Sequence, residues 1–496
     1  MITLGYDIGS SSIKAALLQV DTGETLAVAF SPRTELPITA KRAGWAEQDP
    51  EVWWTHVVLA TREVVRSARI DPAAITAIGI SYQMHGLVVL DAAHRPLRPA
   101  IIWCDSRAVS TGEEAFRALG PQRCLSSLLN SPANFTASKL AWVRRHEPEL
   151  FSKIARFMLP GDYVALRMTG EPATTVSGLS EGTLWDFSAQ QPAWFLLEHY
   201  GIDPSVMAPL APTFGVQGKL RPAAAQELGL AAGTPVTYRA GDQPNNALSL
   251  RVLEPGEIAA TAGTSGVVYG ISDTYQFDPA SRVNSFAHVN HASTAPRIGI
   301  LLCINGTGIS NSWVRKATGA GSASYESMNA LAHAVRVGSE GVVVLPFGNG
   351  AERMLGNRDV GAQILGLNFN MHTSAHLYRA VQEGVAFAFR YGMDIMKTLG
   401  VRPSVIRAGS ANLFLSPVFC EALAGVSDVT IELYNTDGAL GAARGAAIGA
   451  GIVRSGDDAF EGLRRVATIA PASHLRAAYE EAYGHWSAAL ARALTT

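Results

Sequence analysis

The chain has 496 residues, 48% of them apolar and 17% charged, with a formal net charge of -2. That length exceeds what one hydrophobic core supports, so two domains of roughly 240 residues each are expected. The near-neutral balance gives no electrostatic case for nucleic acid or an anionic membrane as partner, and a small-molecule enzyme fits better.

Four scattered cysteines, Cys104, Cys124, Cys303 and Cys420, show neither CxxC pairs nor metal-ligand spacing. They read as reduced core thiols rather than a disulfide framework or a zinc site. No stretch reaches the 18 or so apolar residues of a membrane span, and the opening lacks a basic start followed by a long apolar run. A soluble, cytoplasmic protein is expected.

In chain order, residues 2–6 and 13–20 are strand-like and flank Asp7-Ile8-Gly9-Ser10-Ser11-Ser12, with a third strand over 25–30. A turn so rich in Gly and hydroxyl groups can wrap a phosphate, although an ordinary polar hairpin loop has the same composition. Asp49-Pro50 opens a helix over 50–69, and strands follow at 75–81 and 87–90 around Tyr82-Gln83-Met84-His85-Gly86. The apolar run 100–107 closes on Trp103-Cys104-Asp105-Ser106-Arg107, and helices are expected at 137–145 and 161–168. Strand, helix and strand with continuous apolar runs indicate an α/β layer architecture.

Near the midpoint an apolar strand, 235–238, runs into Arg239-Ala240-Gly241-Asp242-Gln243-Pro244. An acid on a loop immediately after a strand stands where open α/β sheets present chemistry, which makes Asp242 the candidate base. An Asp beside Gly also makes turns and caps helices. Residues 258–270 then repeat the opening layout of strand, small Gly and hydroxyl turn, and strand, which suggests a duplicated fold. A strand is expected at 341–348, a long amphipathic helix over 374–399 and a strand at 404–408 opening onto Gly409-Ser410-Ala411-Asn412. The small-residue stretch 437–447 begins a helix that permits close packing. No low-complexity linker divides the halves.

These residues together resemble the FGGY carbohydrate kinases, closest to the ketopentose branch. The resemblance covers nearly the whole length. It rests on Asp7 to Lys14, Gln83-Met84-His85-Gly86, Trp103 to Arg107, Gly241-Asp242-Gln243, Gly263-Thr264-Ser265-Gly266, Gly409-Ser410 and Asp437-Gly438-Ala439. Each motif is weak alone, and their order and spacing are specific.

The resemblance implies two actin-like, ribonuclease H-like domains with a cleft between them. Residues 1–245 would form the sugar side and 246–496 the nucleotide side. It implies ATP-dependent phosphorylation of D-xylulose to D-xylulose 5-phosphate, with Asp242 as general base and Asp7 placing Mg2+ through water. Met84, His85, Trp103, Asp242 and Gln243 would meet the sugar. Ser10, Ser11, Ser12, Lys14 and Thr264 would contact ATP, with Gly308, Gly409 and Asn412 nearby.

Two departures stand out. The glycine run on the nucleotide side is Ala408-Gly409-Ser410, and the first loop carries Lys14 where an Arg is usual, a point charge without a bidentate fork. A kinase for another ketose or polyol such as ribulose or sedoheptulose is the alternative, and outside enzymes an actin-like nucleotide-gated module. The sugar and ATP are the expected partners, and a homodimer is compatible with the sequence. No GxxxxGK[ST] sequence or protein-kinase signature set occurs, which excludes those two phosphoryl-transfer designs.

Overall fold

The computed structural model describes residues 1–318, 324–453 and 457–495. It divides into two compact units. The first comprises Met1–Arg251, Phe286–Ile298 and Thr436–Leu463, and the second comprises Val252–Ser285, Gly299–Asn435 and Arg464–Thr496. Neither is contiguous in sequence.

The sheet of the first unit orders its strands Val236–Gly241, Ile75–Tyr82, Ile2–Ile8, Ile13–Gln19 and Glu24–Ser31. The first three run parallel, and the last two pair antiparallel. The parallel strands are buried almost throughout, as strands covered on both faces must be. One cover is helix Pro50–Ala68, started by Asp49, whose carboxylate accepts the Glu51 N–H, and by Pro50 at its first position. Its stripe Trp53, Val57, Ala60 and Val64 enters the core.

Helix Gly438–Gly449 lies against the same sheet, although it comes from the far end of the sequence. Its small residues permit backbone contact. A Cβ on Gly5 would lie 2.0 Å from the Ala439 carbonyl oxygen, and one on Gly79 would lie 2.0 Å from that of Ala442. Side chains stitch the approach: Thr3 Oγ1 donates to Ala443 O at 2.9 Å, and Thr237 Oγ1 donates to Ala446 O at 2.8 Å. Asp437 caps this helix by accepting the Leu440 N–H.

In the second unit, adjacent strands run Ile298–Ile304, Gly266–Ser272, Glu257–Ala262, Val405–Gly409, Thr430–Tyr434 and Arg465–Ile469. Here too the opening strand pairs antiparallel with its hairpin partner and parallel with a later strand, which pairs parallel with the next. Both units thus arrange their first strands in one order, and the repeat of strand, hydroxyl turn and strand is the seed of each sheet. Helix Ser374–Thr398 buries Val381, Val385, Phe389, Met393 and Met396 of the stripe its periodicity predicts, while Leu377, the first of that stripe, is only partly buried.

One local expectation changes. Asp242 does not lie on a loop; it is the first residue of helix Asp242–Ser249, entered directly from strand Val236–Gly241. Gly241 ends the strand and occupies the cap position, so Asp242 is neither a turn residue nor the helix cap. Among the described residues no helix is long and apolar enough to cross a membrane.

Candidate active site

At the ends of the parallel strands in the first unit stand three acids. Asp7 is the penultimate residue of strand Ile2–Ile8 and accepts a hydrogen bond from Ser81 Oγ at 3.0 Å. Asp437 precedes helix Gly438–Gly449, and its Oδ2 is 3.2 Å from Lys14 Nζ. A Cβ on Gly438 would meet Asp7 Oδ2 at 2.5 Å, so the bare glycine makes room for that carboxylate. Burial raises the Asp7 pKa, and the Asp437 charge adds to the rise while Ser81 and Lys14 oppose it.

Asp242 completes the group. Burial, and next the charge of Asp7, push its carboxyl up to about 7, against N–H donors of Gln243 that favour the charged form. A carboxyl group of that affinity exchanges its proton near neutral pH, the property required of a general base.

Next to Asp242, Met84 packs against Gly241, where an added Cβ would lie 2.6 Å from Met84 Cγ. His85 adopts the left-handed region with φ 62°. Its ring lies against Phe135 and Phe286, at centroid distances of 4.9 and 5.3 Å. Nδ1 is 2.8 Å from the Glu181 carbonyl oxygen. A carbonyl only accepts, so Nδ1 carries a proton in this contact. Trp103 is half exposed, and its Nε1 donates to Ser10 Oγ at 3.3 Å. Gln48 holds the same turn by donating to Ser10 O at 2.7 Å. Thus Asp7, Ser10, Ser11, Ser12, Lys14, Met84, His85, Trp103, Asp242 and Gln243 all belong to the first unit.

The second unit holds a cavity of about 520 Å³ walled by Thr264, Gly308, Ile309, Asn311, Tyr325 and Asn412, among others. Two turns are laced together at its floor, because the Gly308 N–H donates to Gly263 O at 2.8 Å and the Ile309 N–H donates to Thr264 O at 3.2 Å. A Gly308 Cβ would strike the Gly263 oxygen at 2.4 Å. Thr264, Gly308 and Asn412 are thereby brought together. Gly409 is not among the lining residues; it ends strand Val405–Gly409.

Residues 2–249 match the FGGY family of carbohydrate kinases, N-terminal domain, and residues 258–452 match the C-terminal domain of the same family. The chain belongs to the FGGY carbohydrate kinases. The xylulose kinase of Escherichia coli strain K12 is 32% identical over 447 residues, covering 90% of this chain and 88% of that protein. The xylulose kinase of Bacillus subtilis strain 168 is 29% identical, over 94% and 91% of the two chains. The crystal structure of xylulose kinase from Rhodospirillum rubrum superposes with a TM-score of 0.89 at 28% identity, over 99% of each chain.

Within this FGGY kinase, three buried groups around the acids escaped the sequence reading. Glu181, 1% exposed, ends helix Val176–Glu181, and its Oε2 is 3.8 Å from His85 Nδ1. The Tyr82 hydroxyl is the donor beside its carboxyl group. Burial holds Glu181 far above the usual carboxylate range against the Tyr82 hydrogen bond, and the charges of Asp242 and Asp162 reinforce the rise. Asp162 itself pairs with Arg239 at 2.8 Å. Lys139 is likewise buried, beside Asp105. No motif distinguishes a Glu or Lys inside an apolar helix from a surface one, so periodicity alone could have flagged them only as charges on a buried face.

Proposed function

We propose that this FGGY kinase transfers the γ-phosphoryl group of ATP to D-xylulose, forming D-xylulose 5-phosphate, with Asp242 as the general base. The observation that carries this reading is Asp242 itself. It stands at a strand end, at a helix start, beside Asp7, with its proton affinity raised to about 7. The similarity to xylulose kinases over some nine-tenths of the chain supports the choice of sugar.

Phosphoryl transfer asks the protein for positioning, charge neutralisation and a base that orients the nucleophile. In our reading Asp242 accepts the proton of the attacking sugar hydroxyl. His85 hydrogen-bonds another hydroxyl, Met84 supplies an apolar wall, and Gln243 and Trp103 add contacts. The nucleotide occupies the cavity around Thr264, Gly308 and Asn412, which has room for an adenosine and whose polar lining suits phosphate and ribose oxygens. Ser10, Ser11, Ser12 and Lys14 meet the phosphates, Lys14 as a point charge steadied by Asp437.

No group of three or more His, Cys, Asp or Glu side chains among the described residues is arranged to hold a metal ion. That fits Mg2+, which keeps much of its hydration shell and binds through one or two carboxylates plus substrate phosphates. Asp7 is the residue that would receive it through water, and the ion would neutralise phosphate charge during transfer.

The test is an ADP-release assay across xylulose, ribulose, sedoheptulose, glycerol and gluconate. Xylulose is expected to show the highest kcat/KM. A higher value for ribulose, sedoheptulose, glycerol or gluconate would overturn the sugar assignment.

A further inference from the structure

Three of the residues assigned to the sugar come from two separate loops. Met84 and His85 follow strand Ile75–Tyr82, whereas Trp103 follows the short strand Ala100–Ile101. One side chain reaches both. Lys139 lies on helix Thr136–His146 and is 0% exposed. Its Nζ donates to the His85 carbonyl at 2.8 Å and to the Ile102 carbonyl at 3.0 Å.

The same helix supplies a second tie, because Thr136 Oγ1 donates to Gly86 O at 3.2 Å. His85 needs such help: at φ 62° its backbone occupies a region disfavoured for any residue with a Cβ, and surrounding contacts must hold it there. The ammonium has a counter-charge at hand. Asp105, two residues beyond Trp103, is fully buried, accepts from Arg107 and the Ala46 N–H, and favours the charged form of Lys139. Cys104 and Glu181 act in the same sense, and Arg107 acts against it.

We propose that Lys139 is a positioning residue of the sugar site: its buried ammonium clamps the His85 and Ile102 peptides in one frame and so sets the spacing between His85 and Trp103. It touches neither reactant. The inference rests on the assignment of Met84, His85 and Trp103 to the ketose. Burial brings the Lys139 pKa down to about 8, so the charge that strengthens both hydrogen bonds is present below that pH and lost above it.

The experiment compares wild type with Lys139→Met, which keeps the stem and removes the donors, and Lys139→Gln, which keeps a shorter donor. Steady-state constants for xylulose and ATP are measured on folded protein from pH 6.5 to about 9.5. Lys139→Met should raise the xylulose KM about tenfold, with the ATP KM within about twofold of wild type, and Lys139→Gln should fall between. Wild type should show a rise in xylulose KM above about pH 8 that is missing from both variants. Should Lys139→Met fail to fold, Lys139→Gln and the wild-type pH limb decide. A xylulose KM unchanged in the variants, or flat with pH in wild type, overturns the clamp. Absence of ketose turnover by wild type would instead overturn the function proposed above.

Discussion

Replacing Asp242 by Asn separates what the carboxylate does for chemistry from what it costs the fold. Asn keeps the shape and an acceptor oxygen but cannot take a proton. Loss of a general base lowers kcat by about 10²–10⁴, or roughly 3–5 kcal/mol of barrier. The stability term has the opposite sign. Asp242 moves from an ordinary value of 3.8 to about 7 on folding. The native state therefore binds the proton more tightly than the unfolded chain, and ionisation opposes folding as pH rises from about 4 to 7. Three pKa units correspond to about 4 kcal/mol, an upper bound because Asp242 retains some solvent contact.

The substitution should thus raise the melting temperature by a few degrees at pH 8 and hardly at all near pH 4. Wild-type kcat/KM should fall about tenfold per unit below pH 7, and that limb should vanish in the variant. Differential scanning calorimetry at both pH values, beside single-turnover ADP release, reads all three. Turnover within about threefold of wild type, or inactivation accompanied by a lower melting temperature at pH 8, would refute the reasoning.

Other substitutions probe the remaining parts. His85→Ala should raise the xylulose KM about tenfold with little change for ATP, because it removes a hydrogen-bond partner of one sugar hydroxyl; equal constants would make the ring a packing element. Thr264→Val should raise the ATP KM several-fold and leave the sugar constant alone, as read from initial rates at saturating xylulose. Gly79→Ala places a methyl group 2.0 Å from the Ala442 carbonyl oxygen, where backbone faces backbone. It should cost about 3 kcal/mol or more in denaturant unfolding, and a cost under about 1 kcal/mol would deny the close approach of helix Gly438–Gly449.

Much of this was legible in order along the chain. Alternating and continuous apolar runs marked the strands, and Asp49-Pro50 marked the start of helix Pro50–Ala68 because capping is a local interaction. The motifs around Asp7, Met84-His85 and Asp242 were visible because their Gly, hydroxyl and acidic residues serve the backbone locally. Lys139 and Glu181 were not. Their significance lies in partners 54 and 96 positions away, and nothing in a helical stretch announces a distant carbonyl or imidazole.

The amino-acid sequence by itself determined the class of elements, the duplicated hairpin that seeds each sheet, the family, and the acid placed at the midpoint. Only the tertiary structure decided that residues 436–463 return to the first unit, bringing Asp437 beside Lys14 and Gly438 against Asp7. It also decided that Asp242 should hold its proton up to about pH 7. The physical reason is the same in both cases: local propensity acts over a few residues, whereas desolvation and charge proximity depend on which remote segments pack together.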